Sequence, residues 1–110
     1  MTDDEFAVYA SEFRRTGFTG GLNWYRNVDR NWELTEAIAG RKIEIPTMFL
    51  AGERDPVLSF LPTEPMRQIV TDLREFVLVP GGGHWIQQER PAETNEALLR
   101  FVASVLDSRL

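Results

Sequence analysis

The chain has 110 residues, 43% of them hydrophobic and 26% charged; this balance excludes intrinsic disorder and leaves room for one small domain at most. Its formal net charge of −5 argues against a nucleic-acid partner, because binding phosphate requires a basic surface. With no cysteine and a single histidine, disulfides, thiol nucleophiles and the usual transition-metal sites are excluded, so we expect neither a metal nor a cofactor.

The sequence also argues against a membrane location. A spanning helix needs about 20 consecutive apolar residues, and no run in this chain approaches that length. The first five residues are acidic rather than basic, which is unlike a signal peptide. We therefore predict a cytoplasmic protein with no membrane partner.

The first 40 residues are predicted to be helical. Thr2 and Glu5 have the spacing of a capping box, and the aromatic residues that follow repeat at helical spacing as far as Phe13. This predicts a helix over residues 2–15 that ends near Gly17, with a break in the chain at Gly20 and Gly21.

A second helix is predicted over residues 22–39, ending at Gly40. The prediction rests on a set of side chains that share one arc of about 100° on a helical projection. They are Trp24, Tyr25, Val28, Trp32 and Thr35.

Residues 41–110 change character and alternate between strands and helices. The apolar runs 45–51 and 76–79 lack alternation and predict strands buried on both faces, as in parallel sheets. A helical stripe lies between them at Met66, Ile69, Val70 and Leu73. A further helix is predicted to begin at Pro91, which follows the glycine-rich loop 80–83.

This order predicts an α/β fold with two parallel strands, flanking helices and a preceding helical segment. Two parallel strands do not form a stable sheet by themselves. We therefore interpret the chain as the C-terminal part of a larger fold, with residues 1–40 as one segment and 41–110 as part of the core.

Candidate catalytic residues follow the two predicted strands. Asp55 and the only histidine, His84, lie in loops that leave the carboxyl ends of these strands, where functional residues of open α/β sheets collect. A carboxylate that accepts a hydrogen bond from an imidazole orients it as a general base. The alternatives are that His84 is a solvated loop residue and that Asp55, before Pro56, only forms a turn.

Asp55 is a poor candidate for the nucleophile. On a nucleophile elbow the residue after the nucleophile donates its backbone N–H to the oxyanion hole, and Pro56 has none. No Gly-x-Ser-x-Gly or Gly-x-Asp-x-Gly occurs, and Ser104 and Ser108 are predicted at the end of the last helix. The chain thus has a candidate base and orienting acid but no candidate nucleophile.

Three segments, in order, resemble the epoxide hydrolases of the α/β-hydrolase fold. Residues 22–27 (Leu-Asn-Trp-Tyr-Arg-Asn) with 30–32 (Arg-Asn-Trp) resemble the lid of that family. Residues 52–57 (Gly-Glu-Arg-Asp-Pro-Val) resemble its acid loop, and residues 82–85 (Gly-Gly-His-Trp) its histidine loop. The lid segment is the most specific of the three.

The resemblance implies hydrolysis of a small hydrophobic epoxide to a vicinal diol through an alkyl-enzyme ester. It implies that residues 1–40 are a lid segment, in which Tyr25 donates to the epoxide oxygen, and that Asp55 and His84 activate the water. It further implies that Trp85 and Val57 line the substrate cleft. The alternatives are that Tyr25 is a core aromatic residue and that Trp85 and Val57 only pack.

The nucleophile, the oxyanion segment and a second lid tyrosine of that family have no counterpart in the 110 residues. We therefore expect the isolated chain to be inactive and to self-associate or bind a complementing N-terminal chain. Two other functions stay open. One is a dehalogenase-like hydrolase of the same fold, acting on haloalkanes or haloacids, and the other is a non-catalytic fragment that binds a partner.

Overall fold

Two parallel strands and their connecting helices form the part of the chain that carries the candidate catalytic loops. The computed structural model describes residues 1–107, so the prediction for Ser108 lies outside the described residues. The chain divides into two units, Met1–Ala39 and Gly40–Leu110. Their assignment as lid and core segment stays a prediction.

The first unit begins with helix α1, Asp3–Thr16. The predicted capping box is confirmed, because the Thr2 side chain accepts from the Glu5 N–H and the Glu5 carboxylate accepts from the Thr2 N–H. These bonds from Thr2 lower the pKa of Glu5. Gly17 ends the helix with a φ of 68°, a conformation that glycine adopts without steric cost.

The single helix predicted over residues 22–39 is wrong. The structure has α2 at Thr19–Arg26, α3 at Val28–Leu34 and a short 3-10 helix at Glu36–Ile38. The break falls at Asn27, whose side-chain amide donates to the Asn23 carbonyl at 2.7 Å. The same carbonyl also accepts from the Asn27 backbone N–H at 3.2 Å, so the side chain and the backbone share one acceptor where α2 ends.

Another expectation for this unit also fails. Gly20 and Gly21 are predicted to mark a break, but both lie inside α2. Trp24, Val28 and Trp32, which share the predicted arc, are exposed. The aromatic side chains of this segment therefore form no core within their own unit.

The second unit contains the sheet. Strands β1, Thr47–Gly52, and β2, Leu73–Val79, pair in parallel, and α4, Glu64–Ile69, lies between them in the chain. This confirms the predicted mixed α/β arrangement with two parallel strands. Leu73, predicted on the helical stripe, instead begins β2 because α4 ends four residues earlier.

The strands are half-buried, whereas the sequence predicted burial on both faces. Their buried residues are confined to the carboxyl ends, at Ala51, Gly52 and Val79. Among residues 1–107 each strand has a single paired neighbour, so no described strand covers its other backbone edge. The apolar sequences of β1 and β2 are therefore typical of strands covered on both faces, whereas the described residues cover them only in part.

Two helices follow β2: α5, Ile86–Glu89, and α6, Pro91–Asp107. The predicted start at Pro91 is confirmed. Arg100 of α6 bonds to Glu75 of β2 at 2.7 Å, which places α6 on one face of the sheet. The next residue, Phe76, points to the opposite face, where it stacks on Phe49 with ring centroids 4.8 Å apart.

Gly52, the last residue of β1, lies against the backbone of the loop after β2. A Cβ atom added at Gly52 would overlap the carbonyl oxygens of Gly82 and Gly83. The backbone would have to move to make room for it. Only glycine allows the two loops to approach this closely at the sheet edge.

We therefore expect Gly52→Ala to lower the free energy of unfolding by about 3 kcal/mol, the upper part of the usual range for overpacked interiors. Gly20→Ala is the matched control, because nothing lies within 4 Å of its added Cβ. Urea unfolding followed by circular dichroism measures both variants. Equal stabilities for the two would contradict the close approach.

Candidate active site

The loops after β1 and β2 are tied together by hydrogen bonds at the carboxyl end of the sheet. The Glu53 N–H donates to the Val79 carbonyl at 3.0 Å, and the Arg54 N–H donates to the Gly82 carbonyl at 2.8 Å. In the reverse direction, the Gly81 N–H donates to Glu53 Oε2 at 3.0 Å. These bonds fix the positions from which Asp55 and His84 project.

The two carboxylate oxygens of Asp55 have separate partners. Oδ1 accepts from the Val57 N–H at 2.9 Å and so caps the 3-10 helix Pro56–Ser59. Oδ2 lies 2.9 Å from His84 Nδ1. The turn-forming role and the contact with the imidazole, which the sequence left as alternatives, therefore occur together in one side chain.

The contact with Asp55 defines the state of the imidazole. An ionised carboxylate only accepts hydrogen bonds, so Nδ1 carries a proton, and in the neutral ring Nε2 then keeps its lone pair. The Asp55 side chain is 10% exposed and that of His84 is 49% exposed. The pair thus has a shielded acid and a base that water can reach, which suits proton abstraction from water.

The pKa of Asp55 is lowered by its surroundings. Desolvation is the largest single influence and raises the pKa, but the Val57 N–H, the hydrogen bond from His84 and the charge of His84 together outweigh it. The carboxylate therefore stays ionised and available as an acceptor.

A cavity of about 500 Å³ lies beside the pair. Asp55 and His84 contribute to its wall, and the remaining lining is mostly apolar. That lining includes Phe49, Val57, Leu58, Leu61, Met66 and Ile86. The cavity therefore places the polar pair next to a space that suits an apolar molecule.

The two residues expected to line a substrate cleft differ in position. Val57 lines the cavity, and its N–H also holds Asp55. Trp85 is not among the lining residues. Its ring meets the His84 imidazole edge-on, with centroids 5.2 Å apart and planes at 79°. Trp85 is therefore placed to restrict the orientation of the imidazole.

Tyr25, the third predicted catalytic residue, lies on α2 in the first unit and is 79% exposed. It therefore belongs to no core among residues 1–107. Its catalytic role and the core alternative both stay predictions. Its phenol is available to a partner or a ligand.

A second cavity, of about 650 Å³, lies in the first unit beside Trp32, Thr35 and Ile38. Its ionisable groups are Glu33 and Glu36. Acidic side chains without a paired base or donor offer no comparable chemistry. The smaller cavity next to Asp55 is the better candidate site.

Sequence reasoning missed two carboxylates that support the histidine loop. Glu53 accepts from Gly81, and Glu89 accepts from Gly83 at 2.7 Å and from Trp85 at 3.1 Å. The glycine run and its distance from Glu89 were visible in the sequence. The sequence did not show that the Glu89 side chain folds back onto the loop. That contact depends on the turn of α5, which brings Glu89 next to the Gly83 and Trp85 amides.

The described residues contain neither a metal-binding cluster nor a membrane-spanning helix. Between residues 1 and 107, no three His, Asp or Glu side chains cluster in a way that could hold a metal ion. No helix in that range combines the length and apolar character needed to cross a bilayer. The cytoplasmic location stays a prediction.

The lowered pKa of Asp55 predicts a pH-dependent stability. Its contribution is fully present above the ordinary range of an aspartate, about 3.9, and is lost as the pH falls through the lower folded-state pKa. Asp55→Asn is the reference, because its side-chain oxygen can still accept from Val57 but carries no charge.

We expect the difference in unfolding free energy between the chain and Asp55→Asn to shrink as the pH falls from about 6 to about 2. Urea titrations at several pH values measure it. A difference that stays constant over this range would contradict an ionised Asp55 paired with His84.

Comparison with known proteins gives consistent relatives. No protein-family model matches the chain. Epoxide hydrolase A of Mycobacterium tuberculosis is 50% identical over 105 residues, which are 96% of this chain and 33% of the relative. Bifunctional epoxide hydrolase 2 of Rattus norvegicus is 35% identical over 97% of this chain and 19% of its own length.

Solved structures agree with these relatives. The crystal structure of Epoxide Hydrolase A from Mycobacterium thermoresistibile matches with a TM-score of 0.86 and 54% identity, over 94% of this chain and 32% of that one. Epoxide hydrolase I of potato (Solanum tuberosum) matches with a TM-score of 0.84 and 34% identity, over 94% and 34%. The chain is therefore homologous to a segment, about one third in length, of epoxide hydrolases of the α/β-hydrolase fold.

Proposed function

We propose that this chain supplies the water-activating part and a lid segment of an epoxide hydrolase. The observation that carries the proposal is the 2.9 Å contact between His84 Nδ1 and Asp55 Oδ2 at the wall of an apolar cavity. The catalytic residues are His84, Asp55 and Tyr25, and no cofactor takes part. Small hydrophobic epoxides are the substrates.

The first step requires a nucleophile from outside this chain. A carboxylate attacks one carbon of the epoxide, the carbon–oxygen bond breaks, and an ester links enzyme and substrate. The epoxide oxygen gains negative charge as the ring opens. Tyr25, an exposed phenol on α2, donates its proton to that oxygen and so stabilises the developing alkoxide.

The second step uses the pair in this chain. His84 Nε2 removes a proton from water while Asp55 holds the opposite nitrogen and stabilises the imidazolium. The hydroxide adds to the ester carbonyl, the ester bond breaks, and the leaving alkoxide takes the proton of the His84 imidazolium to give the diol. The carboxylic acid formed in this step gives its proton back to the Tyr25 phenolate, which regenerates the nucleophile as a carboxylate.

The cavity supports a hydrophobic substrate. Apolar side chains from the loop after Asp55, among them Val57, Leu58 and Leu61, form much of its wall. Trp85 contacts His84 rather than the cavity, so its proposed part in substrate binding depends on a substrate that extends past the imidazole.

The surface of the chain supports a complementing partner. Large apolar side chains are exposed in both units, including Phe6 and Trp32 in the first and Leu99 and Val102 in the second. Such surface favours association. We propose that a complementing polypeptide with the nucleophile covers it, and that copies of this chain associate when it is absent.

The reaction is tested in a chimera in which this chain replaces the matching third of Epoxide hydrolase A from Mycobacterium tuberculosis. The isolated chain should not convert an aryl epoxide, whereas the chimera should form the diol. His84→Gln in the chimera should slow turnover by about 10²- to 10⁴-fold. The covalent ester should accumulate, because only its hydrolysis needs the base.

Mass spectrometry of the chimera after addition of the epoxide measures the ester. No adduct in His84→Gln together with lost activity would contradict the two-step role of His84. Diol formation by the isolated chain would contradict the need for a complementing nucleophile.

Tyr25→Phe tests the substrate class in the same chimera. Losing a donor to the developing alkoxide should slow ring opening by about 10²-fold without causing the ester to accumulate. An unchanged rate with epoxides, accompanied by turnover of haloalkanes, would favour a dehalogenase.

Sedimentation of the isolated chain tests the proposed association. We expect oligomers at micromolar concentration and a shift to a single complex when the complementing polypeptide is added. A chain that stays monomeric both alone and with the complementing polypeptide would contradict this proposal and favour a chain that folds and acts alone.

A further inference from the structure

The carboxylate of Glu89 spans the backbone on both sides of His84. Glu89 Oε2 accepts from the Gly83 N–H at 2.7 Å, and Oε1 accepts from the Trp85 N–H at 3.1 Å. Gly83 and Trp85 are the two neighbours of His84 in the chain. One charged side chain therefore holds the backbone immediately before and immediately after the candidate base.

The backbone of Glu89 completes a closed arrangement. Its N–H donates to the Trp85 carbonyl at 2.9 Å, so the N–H and the carbonyl of Trp85 are both bound by the same residue. The segment from Gly83 to Glu89 is thus closed on itself by three hydrogen bonds. Bonds to an ionised carboxylate are stronger than bonds between neutral groups.

Gly83 leaves the space that this arrangement requires. A Cβ atom at Gly83 would lie 2.9 Å from both oxygens of Glu89. Any other residue at this position would push the carboxylate away from the N–H that it binds. The glycine and the glutamate therefore act as one unit.

The other carboxylate of the loop binds farther from the histidine. Glu53 accepts from the Gly81 N–H, three residues before His84, and joins the loop to the end of β1. It therefore sets where the loop begins, whereas Glu89 sets the backbone on either side of the imidazole.

We propose that Glu89 is a positioning residue for His84: it fixes the backbone from which the imidazole reaches Asp55. That this positioning serves catalysis rests on the proposed function. That the His84–Asp55 contact depends on Glu89 can be tested without measuring activity.

A purely structural role offers a competing explanation. As a cap of α5, Glu89 would protect the Gly83 and Trp85 amides but would leave the imidazole unchanged. A positioning role affects both. The state of the imidazole therefore distinguishes the two explanations.

The test is heteronuclear NMR of the full 110-residue chain labelled with ¹⁵N. His84 is its only histidine, so both ring-nitrogen signals are assigned without ambiguity. They report which nitrogen carries the proton when the ring is neutral. In the wild-type chain the Nδ1–H form should dominate, because Asp55 accepts from that nitrogen.

In Glu89→Ala we expect the ratio of the Nδ1–H to the Nε2–H form to fall about fivefold, together with faster exchange of the Gly83 and Trp85 amides. Glu89→Gln should give a smaller fall, because its amide retains one acceptor oxygen. Glu44→Ala, which removes an exposed carboxylate before β1, is the matched control and should change neither quantity.

If the ratio of the Nδ1–H to the Nε2–H form of His84 is unchanged in both Glu89 variants, the proposal is overturned, whether or not the amides exchange faster. A wild-type chain in which the Nε2–H form dominates would overturn it as well. Circular dichroism of each variant checks the fold, and Glu89→Gln preserves the test if Glu89→Ala unfolds.

The outcome is separable from that of the proposed function. If the chimera is inactive but the His84 tautomer ratio depends on Glu89, the proposed reaction is contradicted and the positioning role stands. If the chimera is active but the tautomer ratio does not depend on Glu89, the positioning role is contradicted and the proposed reaction stands.

Discussion

The contact between Asp55 and His84 depends on how closely two loops approach at the carboxyl end of a parallel strand pair. Gly52 lies against the Gly82–Gly83 backbone with no room for a side chain, and backbone bonds tie the loops together. A parallel pair brings both loops to one edge because both strands run in the same direction. The acid and the base meet as a consequence of this topology.

Much of the second unit could be predicted from the sequence, because its signals are local and strong. Unbroken apolar runs indicated β1 and β2, and Pro91 indicated the start of α6. The position of Asp55 and His84 at one sheet edge followed from the strand order. The individual bonds did not, since the division of the Asp55 oxygens between Val57 and His84 depends on side-chain geometry.

The first unit was predicted less well, and its residues explain why. A helical projection assumes a continuous helix, so the arc of Trp24, Tyr25 and Trp32 predicted one element. The element breaks at Asn27, where side chain and backbone share the Asn23 carbonyl as acceptor. A projection also does not show what covers an apolar arc, and the side chains of this one are exposed within their own unit. The same pattern fits a lid segment that buries these residues against polypeptide outside the 110 residues.

Water activation by this chain requires its only imidazole to donate the Nδ1 proton to Asp55. Proton NMR at low temperature detects that proton, since it resonates far downfield of the backbone amides. We expect one downfield signal, from the proton on His84 Nδ1, that disappears in Asp55→Asn. A spectrum without that signal, or with a signal unchanged in Asp55→Asn, would contradict the proposed water activation.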